Sequence, residues 1–377
     1  MKILVISHEY PPVGGGGGKV VQDLCQNLAR RGHQIHLLTA NYGELPKLQK
    51  SENYIIERLP SWRTQAFRAD IKAMGMFVWK SYQRGLELAR SWKPDLIHAH
   101  FAVPAGATAY YLWKITGIPY VITAHGGDVP GGAPEKTGRW FRFVLPFSKT
   151  IWKHAVAIAA VSQQTRELAL ANYEANIRVI PNGIDIKSYD PKNLEPNSPP
   201  KILFIGRFSP EKNAVAIPQI LANLRHLDWR CEMLGDGIQM KQVKHLIEEK
   251  GLSERVRLAG WVNPQEVMDW MAKSDILLMP SLREGMPIAV LQGLAMGLAM
   301  VISRTGSCPD LIEENGFLVQ PGDVEGYSQA LEKLIEDNEL LARFRKNSRK
   351  LSGHFNISRM IDLYEQLFHE VLKAHKD

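Results

Sequence analysis

The chain has 377 residues, of which 45% are hydrophobic and 23% charged, a composition typical of a globular protein with two domains of ordinary size. Its three cysteines form neither a disulfide framework nor a zinc-binding spacing, which favours a reducing cytoplasm. No apolar run approaches the ~18 residues of a membrane-spanning helix, so none is expected.

The net charge of +7 is unevenly distributed, because residues 1–180 hold 22 Lys and Arg against 12 Asp and Glu. This excess suggests an anionic partner, but a solvated basic surface explains it equally well, and both interpretations stay open. The sequence has no basic run of five or more residues, so nucleic acid is not expected as a partner.

The first elements form a βαβ unit with a glycine loop at its first turn. A buried strand at 2–7 is followed by Pro11-Pro12 and by five glycines, Gly14 to Gly18, before a helix and a second strand at 34–39. Glycine lets the backbone approach a phosphate and leaves N–H groups accessible. The second strand lacks the acidic residue of a dinucleotide site, so the loop predicts another anionic ligand.

Residues 43–70 are predicted to be irregular, and a helix follows at about 69–92. His98 and His100 share one face of the next strand, for which we expect a structural role. The strand at 119–124 leads directly into His125, Gly126, Gly127 and Asp128. Ligands bind at the carboxyl ends of strands in open α/β sheets, so His125 is a candidate functional residue.

Two segments mark the middle of the chain. The basic, aromatic stretch 139–153 fits either an anionic membrane surface or a helix packed on its own domain. The proline-rich stretch 189–200 has no periodicity and predicts a domain boundary. We therefore expect a first domain over 1–185, a linker over 186–200 and a second domain over 201–356.

The second half brings cations and a carboxylate to the ends of two strands. A strand that begins at Lys201 ends in Gly206-Arg207, and Lys212 lies at the start of the next predicted helix; both cationic side chains suit phosphate oxygens. A second strand, at 275–280, leads through a turn containing Glu284 into a helix from about 289. A helix N-terminus favours an anion, whereas the carboxylate of Glu284 suits the hydroxyls of a sugar.

In this order, the motifs resemble the retaining nucleotide-sugar glycosyltransferases of family 4, and the resemblance runs nearly end to end. It includes Pro11-Pro12 with Gly15-Gly16, Arg31-Gly32-His33, His125-Gly126, Pro181 to Asp185, Gly206-Arg207 with Glu211-Lys212, and Pro280 to Gln292. The resemblance implies an α/β protein of the GT-B fold, in which two Rossmann-like domains face each other across a cleft. It also implies that a last helix at about 357–377 packs back onto the first domain.

The resemblance assigns roles to individual residues. Gly15 and Gly16 would approach the donor diphosphate, His125 and the nearby Asp128 would lie at the transferred sugar, and Arg207 with Lys212 would neutralise the leaving diphosphate. Glu284 would bind sugar hydroxyls. The backbone of the next four residues would hold sugar and phosphates: Gly285, Met286, Pro287 and Ile288.

Two positions depart from the family pattern. Gln292 stands where a second glutamate usually binds the ribose, and Asn213 replaces a common glycine. An amide can still hydrogen-bond a ribose, although it carries no charge. The first departure bears on the affinity for the nucleotide. Neither departure removes a residue on which the implied transfer depends.

The implied activity is metal-independent, retaining transfer of a sugar from a UDP- or GDP-linked donor to a glycan or lipid-linked acceptor. No cofactor is expected beyond this substrate. The setting would be polysaccharide or cell-envelope glycan synthesis, in the cytoplasm or at the inner face of an anionic membrane. Two alternatives stay open: a nucleotide-sugar epimerase or phosphorylase on the same fold, and a non-catalytic binder of sugar nucleotides.

Overall fold

The structure, a computed structural model, describes residues 1–66, 69–132 and 147–376. The chain divides into two compact units, Met1–Gly183 with Ile357–Asp377 and Ile184–Asn356. Each unit contains a largely parallel sheet with helices, so the predicted α/β class with two Rossmann-like domains is confirmed.

Eight strands form the sheet of the first unit, in the order β3-β4-β2-β1-β5-β6-β7-β8. They are β1 (Lys2–Ser7), β2 (Gln34–Ala40), β3 (Leu48–Lys50), β4 (Tyr54–Leu59), β5 (Leu96–His100), β6 (Tyr120–Ala124), β7 (Ala157–Ala160) and β8 (Ile177–Val179). Among the residues that the structure describes, only the edge strand β3 runs antiparallel to its neighbour in this sheet. The central strands β5 and β6 are buried along their whole length, as expected for a parallel sheet covered on both faces.

Six parallel strands form the sheet of the second unit, in the order β11-β10-β9-β12-β13-β14. They are β9 (Lys201–Ile205), β10 (Arg230–Leu234), β11 (Val256–Gly260), β12 (Ile276–Met279), β13 (Ala299–Ser303) and β14 (Gly316–Val319). Phe204, Trp229 and Leu278 belong to the core of this unit, and none of the three exposes its side chain.

The helices of both units follow in chain order. They are α1 (Gly16–Arg30), α2 (Ile71–Ser91), α3 (Ala105–Thr116), α4 (Gln163–Leu170), α5 (Ile217–Ala222), α6 (Met240–Glu249), α7 (Pro264–Ala272), α8 (Ile288–Ala295), α9 (Val324–Glu336), α10 (Asn338–Leu351) and α11 (Ile357–Lys376). Residues 147–154 are helical as well. The last helix, α11, belongs to the first unit.

The expectation that residues 43–70 are irregular is wrong, because this stretch contains β3 and β4. Strand β4 pairs in parallel with β2. Its charged residue Glu57 obscures the strand pattern in the sequence. In the fold, Glu57 accepts hydrogen bonds from Arg84 Nε at 2.7 Å and contacts His36 Nε2 at 2.9 Å, so its charge is compensated.

The stretch 186–200, predicted to be a linker, is part of the second unit. Arg345 donates hydrogen bonds to the carbonyls of Asn193 and Glu195, and the Asn197 amide donates to Asp275. Backbone carbonyls and one amide hold the segment in place. Hydrogen bonds of this kind leave no periodic trace in a sequence, which is why the segment resembled a linker.

The basic, aromatic stretch is described only from residue 147 onward, and residues 139–146 lie outside the described part of the chain. In the described part, Ile151 and Trp152 are fully buried, and Trp152 stacks on Tyr173 with ring centroids 4.4 Å apart. This part therefore packs on its own unit.

Each sheet reverses its strand order at one point. In the first unit, β1 lies between β2 and β5, and in the second unit β9 lies between β10 and β12. In open α/β sheets, ligands bind beyond the carboxyl ends of the strands at such a reversal. A ligand is therefore expected beyond the carboxyl ends of β1 and β5 in the first unit, and of β9 and β12 in the second.

Candidate active site

The second unit brings together two motifs that lie far apart in the sequence. Lys212 follows β9 and Glu284 follows β12, and Lys212 Nζ lies 2.6 Å from Glu284 Oε1. Ser281 Oγ donates to the same carboxylate oxygen at 2.7 Å. The side chains of Lys212 and Glu284 are only 19% and 8% exposed. The reversal point of this sheet therefore holds a compact, polar ion pair.

Arg207 lies beside this pair on the loop after β9. Its Nη2 is 3.9 Å from Glu211 Oε1, and its side chain remains partly exposed. The Glu211 carbonyl accepts a hydrogen bond from the N–H of Leu282 at 2.8 Å, which joins the loop after β9 to the loop after β12. Arg207 and Lys212 thus both lie on the loop after β9, which is joined to the loop of Glu284, and two cations on one loop suit a diphosphate.

Asn213 has φ 53° and ψ 38°, a left-handed backbone conformation. Glycine adopts this conformation without strain, and asparagine tolerates it better than most other residues. The departure from the family glycine is therefore accommodated without altering the turn.

Gly306, which was not predicted to be a site residue, lies on the turn after β13. Its φ is +59°, and a Cβ at this position would overlap the carbonyls of Glu284 and Gly285. The neighbouring Ser307 N–H donates to the Gly285 carbonyl at 2.9 Å. This turn supports the loop of Glu284 from behind, and its only sequence signal was a glycine next to small polar residues.

The residues between Glu284 and α8 differ in whether their backbone N–H groups can bind a ligand. The N–H groups of Gly285 and Ile288 have no acceptor among the residues that the structure describes. Pro287 has no N–H, and its carbonyl accepts hydrogen bonds from Val290 and Leu291, so it starts the helix. Met286 is mostly buried. Of the four predicted backbone contacts, Gly285 and Ile288 are those with a donor to offer.

Gln292 lies one turn further along α8. Its Nε2 donates a hydrogen bond of 2.9 Å to the hydroxyl of Tyr189. Tyr189 is buried and belongs to the stretch 186–200, which the sequence predicted to be a linker. The Gln292 Oε1 accepts from no residue in the described ranges. The amide is therefore oriented, with its oxygen left for a hydroxyl.

In the first unit, the glycine loop forms the start of α1. The helix begins at Gly16, and Gly15 is its N-cap. The Gly15 N–H donates to Glu9 Oε2 at 3.1 Å, so a carboxylate accepts the hydrogen bond of one of the N–H groups that were expected to approach phosphate. A Cβ on Gly17 would lie 2.6 Å from the Phe101 ring, which also packs against His125 with centroids 4.4 Å apart. The loop and His125 therefore share Phe101 as a neighbour.

Both carboxylate oxygens of Asp128 accept hydrogen bonds from backbone N–H groups. Its Oδ1 accepts from the His125 N–H at 2.9 Å and its Oδ2 from the Ala102 N–H at 2.7 Å. The carboxylate is mostly buried, and burial raises its pKa. Asp128 therefore fixes the turn that carries His125, and the substrate contact expected from the sequence stays a prediction.

His125 itself is neutral at physiological pH. Burial lowers its pKa to about 4, although the Glu9 carboxylate acts in the opposite direction. Its Nε2 lies 3.1 Å from His100 Nδ1, a contact that the sequence did not suggest. A neutral imidazole at this strand end can donate or accept one hydrogen bond toward a ligand.

Nowhere in 1–66, 69–132 and 147–376 do three or more His, Cys, Asp or Glu side chains cluster as a metal ion would need. Over the same ranges, every helix is too short or too polar to cross a membrane.

Comparison with known families identifies the class of this protein. Residues 14–188 match the sequence profile described as "Glycosyltransferase Family 4", and residues 185–351 match that described as "Glycosyl transferases group 1". Among solved structures, sucrose-phosphate synthase from Thermosynechococcus elongatus superimposes with a TM-score of 0.88 at 20% identity, covering 99% of this chain and 100% of that one. The Anabaena protein HepE, in complex with UDP and glucose, gives a TM-score of 0.78 at 19% identity, covering 98% and 100%.

Curated relatives agree with these profiles. N-acetyl-alpha-D-glucosaminyl L-malate synthase of Bacillus anthracis is 25% identical over 398 residues, covering 100% of this chain and 99% of that protein. UDP-Gal:alpha-D-GlcNAc-diphosphoundecaprenol alpha-1,3-galactosyltransferase of Escherichia coli is 25% identical over 303 residues, covering 75% and 77%. The fold and the profiles together define a glycosyltransferase of the GT-B class. The chain belongs to the family 4 glycosyltransferases.

Proposed function

We propose that this glycosyltransferase moves a sugar from a UDP- or GDP-linked donor to a glycan or lipid-linked acceptor in polysaccharide or cell-envelope glycan synthesis. The observation that carries the proposal is the pairing of Lys212 with Glu284 at the sheet reversal of the second unit, with Arg207 on a connected loop. A nucleoside diphosphate sugar offers both kinds of partner at once, phosphates for the cations and hydroxyls for the carboxylate.

The ion pair between Lys212 and Glu284 suggests how the donor binds. Lys212 Nζ and Ser281 Oγ now share one oxygen of Glu284. When a diphosphate arrives, Lys212 exchanges the carboxylate for phosphate oxygens, and Glu284 accepts hydrogen bonds from sugar hydroxyls. The Gly285 and Ile288 N–H groups supply neutral donors at the start of α8. Gln292, held by Tyr189, directs its amide oxygen to a ribose hydroxyl.

We infer retention of the anomeric configuration from this arrangement and from the family resemblance. The bond from the anomeric carbon to the diphosphate oxygen breaks, and the acceptor oxygen forms its bond on the same face. The acceptor proton passes to the departing diphosphate. Arg207 and Lys212 stabilise the negative charge that develops there, in a site that excludes part of the surrounding water.

We propose that this chemistry proceeds without a metal ion. Two cationic side chains and a helix start can neutralise the leaving group as a divalent ion would. Unchanged transfer in the presence of a chelator supports this assignment, and a requirement for added Mg²⁺ or Mn²⁺ contradicts it.

We further propose peripheral contact with an anionic membrane, where a lipid-linked acceptor would reside. The Escherichia coli relative is named for a diphosphoundecaprenol acceptor. Helices α2 and α3 of the first unit carry the apolar residues for such a contact. Their exposed members are Ile71, Trp79, Tyr111 and Ile115, with Lys72, Lys80 and Lys114 on the same two helices.

The experiment that tests the proposed function is a donor screen followed by a transfer assay. UDP- and GDP-sugars are compared by thermal shift, since a ligand at 100 times its Kd stabilises by roughly 2.7 kcal/mol. The stabilising donor is then incubated with glycan and lipid-linked acceptors, and the anomeric product is identified by NMR. Inversion of configuration, or conversion of the donor to an epimer without an acceptor, contradicts the proposal.

A further inference from the structure

A row of buried histidines lies behind His125. Strand β5 places His98 and His100 on one face, where both are fully buried and their ring centroids are 4.2 Å apart. In the parallel register of β5 and β6, His100 pairs with Thr123, two residues before His125. His100 Nδ1 consequently lies 3.1 Å from His125 Nε2.

The far end of this row is anchored on the last helix. His98 Nε2 lies 2.8 Å from Thr123 Oγ1, and Thr123 Oγ1 lies 2.9 Å from the hydroxyl of Tyr364 on α11. Tyr364 and Phe368 also pack against the His98 ring. The histidines are thus held by hydrogen bonds and by aromatic packing, which fixes their ring planes.

The geometry determines where the protons lie. Burial lowers the pKa of His125 to about 4 and that of His100 well below its usual value, so each neutral ring carries one N–H. His100 Nε2 is buried and has no hydrogen-bond partner among the described residues. A buried N–H without an acceptor is more costly and rarer than a buried acceptor without a donor. The His100 proton therefore resides on Nδ1, where His125 Nε2 accepts it.

We propose that His100 is a positioning residue, which fixes the proton of His125 on Nδ1 and so makes His125 a hydrogen-bond donor toward the substrate. The hydrogen bond from His125 to the substrate rests on the proposed function, in which the ligand is the transferred sugar. The tautomer is a property of the unliganded protein. His125 Nδ1 has no partner among the described residues, so its N–H is available to a sugar oxygen.

The tautomer can be measured directly on the full chain. The protein is labelled with ¹⁵N at histidine, and long-range ¹H–¹⁵N spectra are recorded at neutral pH without ligand. His125→Gln assigns the His125 signals. We expect a protonated Nδ1 and a bare Nε2 on His125. A protonated Nε2 on His125, or an equal mixture of both forms, overturns the proposal.

Two substitutions at His100 separate positioning from packing. His100→Asn supplies an amide N–H near the position of Nδ1, and His100→Leu fills similar space without a donor. We expect the asparagine variant to keep the His125 tautomer and near-normal kcat. The leucine variant should lose the preference and lower kcat about 10- to 100-fold, the scale of the loss when the hydrogen-bond partner of a metal-bound histidine is removed. His36→Leu, at another buried histidine, is the matched control and should leave the His125 signals unchanged.

The outcomes distinguish this inference from the proposed function. If no donor is turned over but the wild-type spectrum shows the Nδ1–H form, the proposed function fails and the tautomer assignment stands. If His100→Leu preserves both the tautomer and kcat, the positioning role is wrong although transfer is real. If the leucine variant does not fold, the wild-type and asparagine spectra decide.

Discussion

Lys212 and Glu284 form a direct ion pair, with Nζ and Oε1 2.6 Å apart across 72 residues of sequence. In the structure, each group satisfies the charge of the other. Both side chains are mostly buried, so neither charged group is fully hydrated. A donor that carries both phosphates and hydroxyls can satisfy the two groups simultaneously.

The cations should be required for transfer. Lys212→Ala and Arg207→Ala should each slow kcat on the order of 10²-fold or more, because one oriented charge stabiliser of the leaving group is lost. Lys241→Ala, at an exposed lysine of the same unit, is the matched control and should leave kcat unchanged. Steady-state kinetics with the identified donor measure the effect. Wild-type rates in both variants would exclude these residues from the chemistry.

Gly306 should be needed to hold Glu284 in place. Gly306→Ala adds a Cβ that overlaps the carbonyls of Glu284 and Gly285, and it also strains a backbone with φ +59°. Gly322→Ala shares the positive φ, +86°, but its Cβ meets no atom within 4 Å. We expect both variants to lose about 1 kcal/mol or more of stability from backbone strain.

Only the Gly306 variant should also lose donor affinity and activity, because only its Cβ displaces the loop of Glu284. Thermal unfolding and donor titration of both proteins separate the two effects. Equal donor affinity in the two variants contradicts the supporting role of Gly306.

Glycine, charge and short apolar runs are local signals, so the sequence could predict the strand ends at which the candidate site residues lie. The motifs at Arg207 and Glu284 could be found this way, although their direct pairing could not. Roles that depend on tertiary contacts were missed. Gly306 supports the loop from another strand, and the Asp128 carboxylate turned inward to backbone N–H groups. His100 was predicted to be structural, because nothing in the sequence shows its contact with His125.

Stability should fall as the pH is lowered from about 6.5 toward about 4. Burial lowers the pKa of His8 and His125 to about 4 and that of His98 to about 3, from 6.5. Between these values the unfolded chain binds more protons than the folded one, so stability rises with pH. Each histidine contributes a slope of up to about 1.4 kcal/mol per pH unit.

Urea unfolding at several pH values measures this slope. His98→Asn should flatten it, because one buried, neutral imidazole is removed. His245→Gln, at a histidine that is 76% exposed, should leave it unchanged. A pH profile that is flat between 5 and 7 in the wild-type protein would falsify the assignment of neutral buried histidines.

The buried guanidinium of Arg345 should be critical for the second unit. Its Nη1 lies 2.6 Å from Asp275 Oδ1, and its Nε donates to the Gly297 carbonyl. Arg345→Met leaves the Asp275 carboxylate buried without its cation, which should destabilise by about 3–5 kcal/mol. Lys350→Met, at an exposed position of the same helix, should change stability by less than about 0.5 kcal/mol. Denaturant unfolding compares the two, and similar losses would show that the ion pair is not responsible.

Membrane contact should depend on the apolar residues of α2. Ile71 and Trp79 are 60% and 51% exposed, and the Lys80 ammonium lies 4.2 Å from the centroid of the Trp79 ring. Inserting such side chains into the lipid interface contributes roughly 1.5–3 kcal/mol for each one that is fully buried. The double variant Ile71→Ser, Trp79→Ser should therefore bind vesicles containing anionic lipid at least about tenfold more weakly than the wild-type protein.

Co-sedimentation with vesicles of anionic and of purely zwitterionic lipid measures this contact. Ile238→Ser, which changes a 70% exposed residue of the second unit, is the matched control. Binding should weaken as salt is raised, because the lysines contribute through screened charge. Equal binding of the wild-type protein to both kinds of vesicle removes the electrostatic part of the proposal. Unchanged binding of the double variant places the contact on another surface.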